Sequence, residues 1–74
     1  MWKLGQYVRV WRGGSVGEHD AGGYEYGHIE SVEDDPRYER TDDLSFVLPT
    51  DEVMLVGDDG KEIYCRVKDL EEGE

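Results

Sequence analysis

Apolar residues in this chain come in short runs that alternate with polar ones, a period of two that predicts strands rather than helices. The clearest case lies between Asp51 and Leu70. Val53, Met54, Leu55 and Val56 form an apolar run, Asp58-Asp59-Gly60 supplies a turn, and Ile63, Cys65 and Val67 then alternate with Tyr64, Arg66 and Lys68. That is a β-hairpin with one face for a core. Upstream, Gln6 to Trp11 predicts a first strand with Val8 and Val10 on one side and Tyr7, Arg9 and Trp11 on the other. Tyr24 to Glu33 predicts a second. Its Ile29 and Val32 are three positions apart, so both can face inward only if the strand bulges or bends between them. Gly27 marks a point where another strand passes closely. Leu44 to Leu48 reads as a third strand, with Leu44, Phe46 and Leu48 on one parity. The predicted core is Val8, Val10, Ile29, Val32, Phe46, Leu55, Ile63, Cys65, Val67 and Leu70.

The intervening segments are turn-like. Arg12 to Gly23, which contains Gly13, Gly14, Gly17, Gly22 and Gly23, predicts a loop longer than compact domains usually carry. Asp34-Asp35-Pro36 ends the second strand because proline has no N–H for the ladder, and Arg37 to Asp43 predicts a second loop. The hairpin's second strand ends in Lys68-Asp69-Leu70, whose last apolar side chain can fold under an open barrel end; no helix is expected beyond a short terminal turn, and residues 71–74 predict a frayed acidic tail. Five short strands in 74 residues define one all-β domain spanning 1–74, a small, strongly bent, five-stranded antiparallel barrel. An open five-stranded sandwich of the same strands is the alternative. A chain this short buries only about 60% of its unfolded surface, which leaves no room for a deep, lidded active site.

Charge changes the picture more than any motif does. Nineteen acidic residues against eight basic ones give −11, beyond the magnitude of about 2–8 that keeps a small domain soluble. Such a charge disfavours direct contact with nucleic acid or an anionic membrane and speeds encounter with a basic protein surface. The same excess suits a protein adapted to high salt, where screening reaches within about 3 Å at 1 M. The lone cysteine, Cys65, excludes an intramolecular disulfide and a multi-cysteine zinc site. No apolar leader is expected, and a cytoplasmic location follows as the expectation.

The order Gly5-Gln6-Tyr7-Val8-Arg9-Val10, then Gly27-His28-Ile29-Glu30-Ser31-Val32, then Val53 to Gly60 and Glu62 to Leu70, resembles SH3-like barrels of the KOW and Tudor kinds. The resemblance implies a five-stranded SH3-like barrel and, for Tudor-like members, a reader of methylated lysine or arginine. Asp59 stands where Tudor-like turns carry an aromatic, and the long loops are acidic or mixed where KOW-like ones are basic.

Candidate chemistry follows from these readings. Tyr7, Trp11, Tyr24, Tyr26 and Tyr64 face outward and could together receive a cationic side chain, or could simply cover the outer wall. Glu33, Asp34, Asp35, Asp42 and Asp43 form the predicted acidic binding face, with Asp58 and Asp59 as a second patch. Carboxylates on neighbouring strands are spaced about 4.8 Å apart, comparable to charges on a nucleic-acid backbone. The expected activity is therefore non-enzymatic docking on a basic protein surface, that of a nucleic-acid-binding protein, by a nucleic-acid mimic. Small acidic viral inhibitors of restriction and CRISPR effectors share this composition. An accessory subunit with a salt-adapted surface is the alternative. No cofactor is expected: Glu18-His19-Asp20 with His28 matches no metal-site spacing, and neither histidine has a plausible nucleophile beside it.

Overall fold

The computed structural model describes residues 2–13 and 22–73. Five strands, β1 (Tyr7–Gly13), β2 (Gly22–Val32), β3 (Glu52–Val56), β4 (Glu62–Arg66) and β5 (Leu70–Glu72), form one antiparallel sheet in the order β4-β3-β2-β1-β5. The sheet is not closed; β4 and β5 are its edges. β2 holds it together. From Gly22 to His28 it pairs with β1, and from His28 to Val32 it pairs with β3, so a single strand belongs to both halves of the sheet.

The change of partner needs a bend, which the register supplies between Ile29 and Ser31. The extra residue keeps Ile29 and Val32 on the same side, and both are buried. Gly27 is where the backbone of β3 comes closest: a Cβ there would lie 2.8 Å from the carbonyl oxygen of Val56. Both features agree with the alternation read from the sequence. The β3–β4 turn also agrees. Gly60 donates to the carbonyl of Gly57 at 2.9 Å and adopts φ +82°, and Gly57 donates to Lys61 at 2.8 Å, a three-residue hairpin loop closed by a left-handed glycine.

Side chains from all five strands meet inside: Val8, Val10, Ile29, Val32, Val53, Leu55, Ile63, Cys65 and Leu70, joined by Val67 from a 3-10 turn over Val67–Asp69 and by Leu44. Trp2, Leu4, Tyr38, Phe46 and Val47 close the ends of this cluster. Leu44 and Val53 were not among the predicted core residues, and Phe46, which was, is only half-buried.

Three expectations need correction. Leu44–Leu48 is not a strand. Leu44 donates to Trp2 and Val47 to Leu44, so the segment turns back on itself after an isolated bridge between Lys3 and Asp43; Leu44 drops into the core while Leu48 remains 61% exposed. The fifth strand comes instead from the acidic tail: Leu70, Glu71 and Glu72 pair with Val10, Arg9 and Val8. Backbone pairing with β1 and the Arg9–Glu71 ion pair hold the chain in the sheet through Glu72. The long loop is shorter than Arg12 to Gly23, since Arg12 and Gly13 pair with Gly23 and Gly22; what remains of it lies outside the described residues. A 3-10 turn at Pro36–Glu39, not anticipated, interrupts the second loop.

Two substitutions test this arrangement. Leu44→Ala should cost about 2–5 kcal/mol in urea unfolding, as for a buried leucine, whereas Leu48→Ala should change stability by less than about 0.5 kcal/mol. A real strand over this segment would make the two costs similar. Gly27→Ala should destabilise by about 1–3 kcal/mol because the Val56 carbonyl is backbone and cannot step aside, while Gly23→Ala, with nothing within 4 Å of the added methyl, should leave the denaturation midpoint nearly unchanged.

Candidate binding surfaces

The β1–β2 register sets Tyr7 opposite His28, Arg9 opposite Tyr26 and Trp11 opposite Tyr24, so the outward residues of both strands form one aromatic strip. Tyr7 stacks on Tyr26 with ring centroids 5.7 Å apart, and also meets His28 at 5.1 Å. Trp11 meets Tyr24 edge-on at 5.1 Å, and Tyr24 is tilted against Tyr26 at 6.4 Å. A cation already lies on this strip. The Arg9 guanidinium is 4.1 Å from the centre of the Tyr24 ring and donates to Glu71 at 3.1 Å, while the Tyr24 hydroxyl donates to both oxygens of the same carboxylate. Hydrogen bonding to Tyr26 and Glu71 raises the Arg9 pKa further. β5 is therefore fastened to β1 through side chains as well as backbone, and the strip holds its own arginine.

Tyr64 stands apart. It projects from the outer side of β4, opposite Met54 and two strands away from β2. Its hydroxyl donates to Glu62 at 3.2 Å, and its pKa is raised by Glu62, with smaller contributions from Glu33 and Glu52. Glu62 touches the Tyr64 hydroxyl, whereas Glu33 and Glu52 lie toward the other end of β4, level with Arg66. Glu52 and Glu62 were not picked out from the sequence. The signal was present, because Glu62, Tyr64 and Arg66 alternate on the outer parity and antiparallel pairing puts Glu52 across from Arg66.

The predicted acidic face divides into three places. Glu33, Asp34 and Asp35 line an open depression with Val32, Pro36, Tyr38 and Glu39. Ser31 donates to Glu33 at 2.9 Å. Asp35 accepts the backbone N–H of Arg37 and both Nε and Nη of its guanidinium, at 2.6 to 3.1 Å. Those bonds hold the Asp35 carboxyl below its usual range and raise Arg37, whose guanidinium also lies 4.6 Å over Phe46. Asp42 and Asp43 belong to the segment fastened to the N-terminus: Leu4 donates to the Asp42 carbonyl, and the Asp43 side chain accepts the N–H of Ser45.

Asp58 and Asp59 lie at the β3–β4 turn and share a depression with Glu25, Tyr26, Gly57, Lys61 and Ile63, Asp59 capping the N–H of Lys61. This patch is beside Tyr26, in the middle of β2, whereas Glu33 follows the end of that strand seven residues later. Roughly 20 Å of strand separates them. Asp35, Asp43 and Asp59 therefore fix turns as well as carrying charge.

Cys65 is buried, and desolvation pushes its thiol up to about 11. It is a packed side chain rather than a nucleophile. Among the described residues no group of three or more His, Cys, Asp or Glu is placed to hold a metal ion, and no helix is long and apolar enough to cross a membrane. Glu18, His19 and Asp20 lie outside the described residues. No family model, curated protein or solved structure matches the chain.

The Asp35 geometry has a pH signature. A carboxyl whose folded pKa is lowered contributes stability above its unfolded pKa and loses it as pH falls through the folded value. Asp35→Ala should lower the melting temperature most near neutral pH. The gap from the parent should then shrink in acid, below about 4, as the parent carboxyl takes up its proton. A gap independent of pH would mean that the charge of Asp35 contributes nothing.

Proposed function

We propose that this protein is a non-enzymatic binding module that docks on a basic protein surface, the kind of surface a nucleic-acid-binding protein uses for its nucleic acid. The observation that carries the proposal is the continuity of acid over one end of the sheet. Glu39, Asp35, Asp34 and Glu33 line the depression after β2, and Glu52 stands beside Glu33, whose N–H donates to the Glu52 carbonyl at 2.9 Å; Tyr64, next along the outer face of β4, carries Glu62 on its hydroxyl on the side toward the β3–β4 turn. Arg37, which follows Pro36 at the edge of the depression, is already held by Asp35. The surface thus offers a group of carboxylates with an aromatic near it, suited to arginine side chains through both charge and ring stacking. The meander from β1 to β4, with β5 returning to β1 after a 3-10 turn, supports reading the frame as an SH3-like barrel of the KOW or Tudor kind. A methyl-cation reader is a weaker fit, because the aromatic strip is occupied by Arg9.

Association should weaken steeply as salt rises, since it arises from unlike charges near a solvated surface. Reversing Glu33, Asp34 and Glu52 together to lysine should reduce affinity for a captured basic partner by about ten-fold or more, while reversing Asp58 and Asp59 should have a smaller effect. Duplex DNA or RNA should compete for that partner. A partner held equally well from low to high salt, and indifferent to the triple reversal, would rule the mechanism out.

A further inference from the structure

We infer that the outer edge of β4 pairs with the same edge of a second copy of this chain, antiparallel and centred on Tyr64. The inference does not rest on the proposal about a basic partner, with which it would compete for Tyr64 and Glu62, and starts from the backbone. β4 is the last strand in the sheet order, and it pairs with β3 alone among the described residues.

The phase of its hydrogen bonds is fixed at both ends, where Gly57 donates to the carbonyl of Lys61 and Val67 donates to the carbonyl of Asp51. In an antiparallel ladder, residues that bond a neighbour alternate with residues that do not. Lys61, Ile63, Cys65 and Val67 therefore turn their backbone groups toward β3. Glu62, Tyr64 and Arg66 turn theirs away, toward the open edge.

A two-fold axis at Tyr64 uses every one of those outward groups. Glu62 faces Arg66 of the second copy, Tyr64 faces Tyr64, and Arg66 faces Glu62, all as hydrogen-bonded pairs. Shifting by one step in either direction leaves one of the three outward residues without a partner, and a parallel arrangement puts Glu62 beside Glu62. The side chains agree with the backbone. The centred register sets opposite charges directly across the junction twice, brings the two tyrosine rings side by side on the outer face, and places Ile63 opposite Cys65 on the inner face. Arg66, which donates to the Thr50 carbonyl and lies across from Glu52, would then sit between two carboxylates. The pattern Glu-Ile-Tyr-Cys-Arg is self-complementary when read against itself in reverse.

Net charge acts against this contact. Two chains at −11 repel one another, so the dimer should tighten as salt is added, the reverse of the salt dependence expected for a basic partner. Failure of one idea can therefore be told from failure of the other.

The test is sedimentation equilibrium on the full chain across protein concentration and salt, with circular dichroism to check folding. Arg66→Glu should weaken association on the order of ten-fold, because symmetry applies the reversal at two positions. Glu62→Arg should weaken it comparably even though it lowers the net charge, and the double variant Glu62→Arg/Arg66→Glu should restore it. Tyr64→Pro deletes an outward N–H that makes no bond to β3 and should abolish dimerisation while the sheet remains folded. A parent chain that stays monomeric at the highest soluble concentration in high salt overturns the inference. So does a dimer strengthened by Glu62→Arg, which would show that net charge rather than register governs association.

Discussion

Everything in this small sheet depends on β2 serving two neighbours in turn. A flat strand could not do so, because continuing the alternation past Ile29 would send Val32 out to solvent and split the core. The bulge before Ser31 corrects the parity, and the absence of a side chain at Gly27 lets the end of β3 close over the bend. With that corner formed, Val8 and Val10 from one half of the sheet meet Val53 and Leu55 from the other, although few residues in the chain are large and apolar. Such a core is thin by necessity. It is completed from irregular segments, with Leu44 inserted beneath the N-terminal residues and Val67 delivered by a 3-10 turn.

Those features divide according to how far the sequence reveals them. The three-residue offset between Ile29 and Val32, the lone Gly27 within a strand and the Asp-Asp-Gly turn are local signals, each with one cheap structural solution, and each is found where the pattern placed it. Leu44–Leu48 alternates equally well, yet alternation reports only that one side is apolar. It does not supply a partner strand, and here the nearest backbone is the short stretch of residues 2–4, which leaves room for a single bridge. Glu71 and Glu72 mislead in the opposite direction. They look like a solvated tail, but backbone pairing is indifferent to side-chain charge, and Arg9 offers Glu71 a cation across the strand. The binding surfaces were less legible still. The acids are spread along the whole chain, and only the register decides that Glu52 joins Glu33 at one end of the β3–β4 pair while Glu62 lies with Asp58 and Asp59 at the other.

The arginines explain why so large an imbalance is compatible with a folded sheet. Arg9 ties β1 to β5 across Tyr24, Arg37 fixes the turn after β2 and covers Phe46, and Arg12 reaches Glu25 across the hairpin at 3.4 Å. Each links segments of the chain rather than diluting the surface charge. Isolated exposed pairs of this kind add little stability, but Arg9 also packs on an aromatic ring and anchors the last strand. Their engagement leaves the remaining carboxylates largely unanswered, and the resulting negative field is a product of how the fold uses its few cations.

That field also bears on the open edges of the sheet. A strand edge is a template for uncontrolled pairing, and proteins commonly guard it with charge. Here the guard works at two ranges. Over distances longer than the screening length, −11 keeps copies apart irrespective of orientation. At contact, the order of Glu62 and Arg66 on β4 distinguishes one antiparallel register from parallel alternatives that would oppose like charges. Long-range repulsion alone would suppress every association equally. A pair of opposite charges placed symmetrically about Tyr64 gives the edge a preference that repulsion does not.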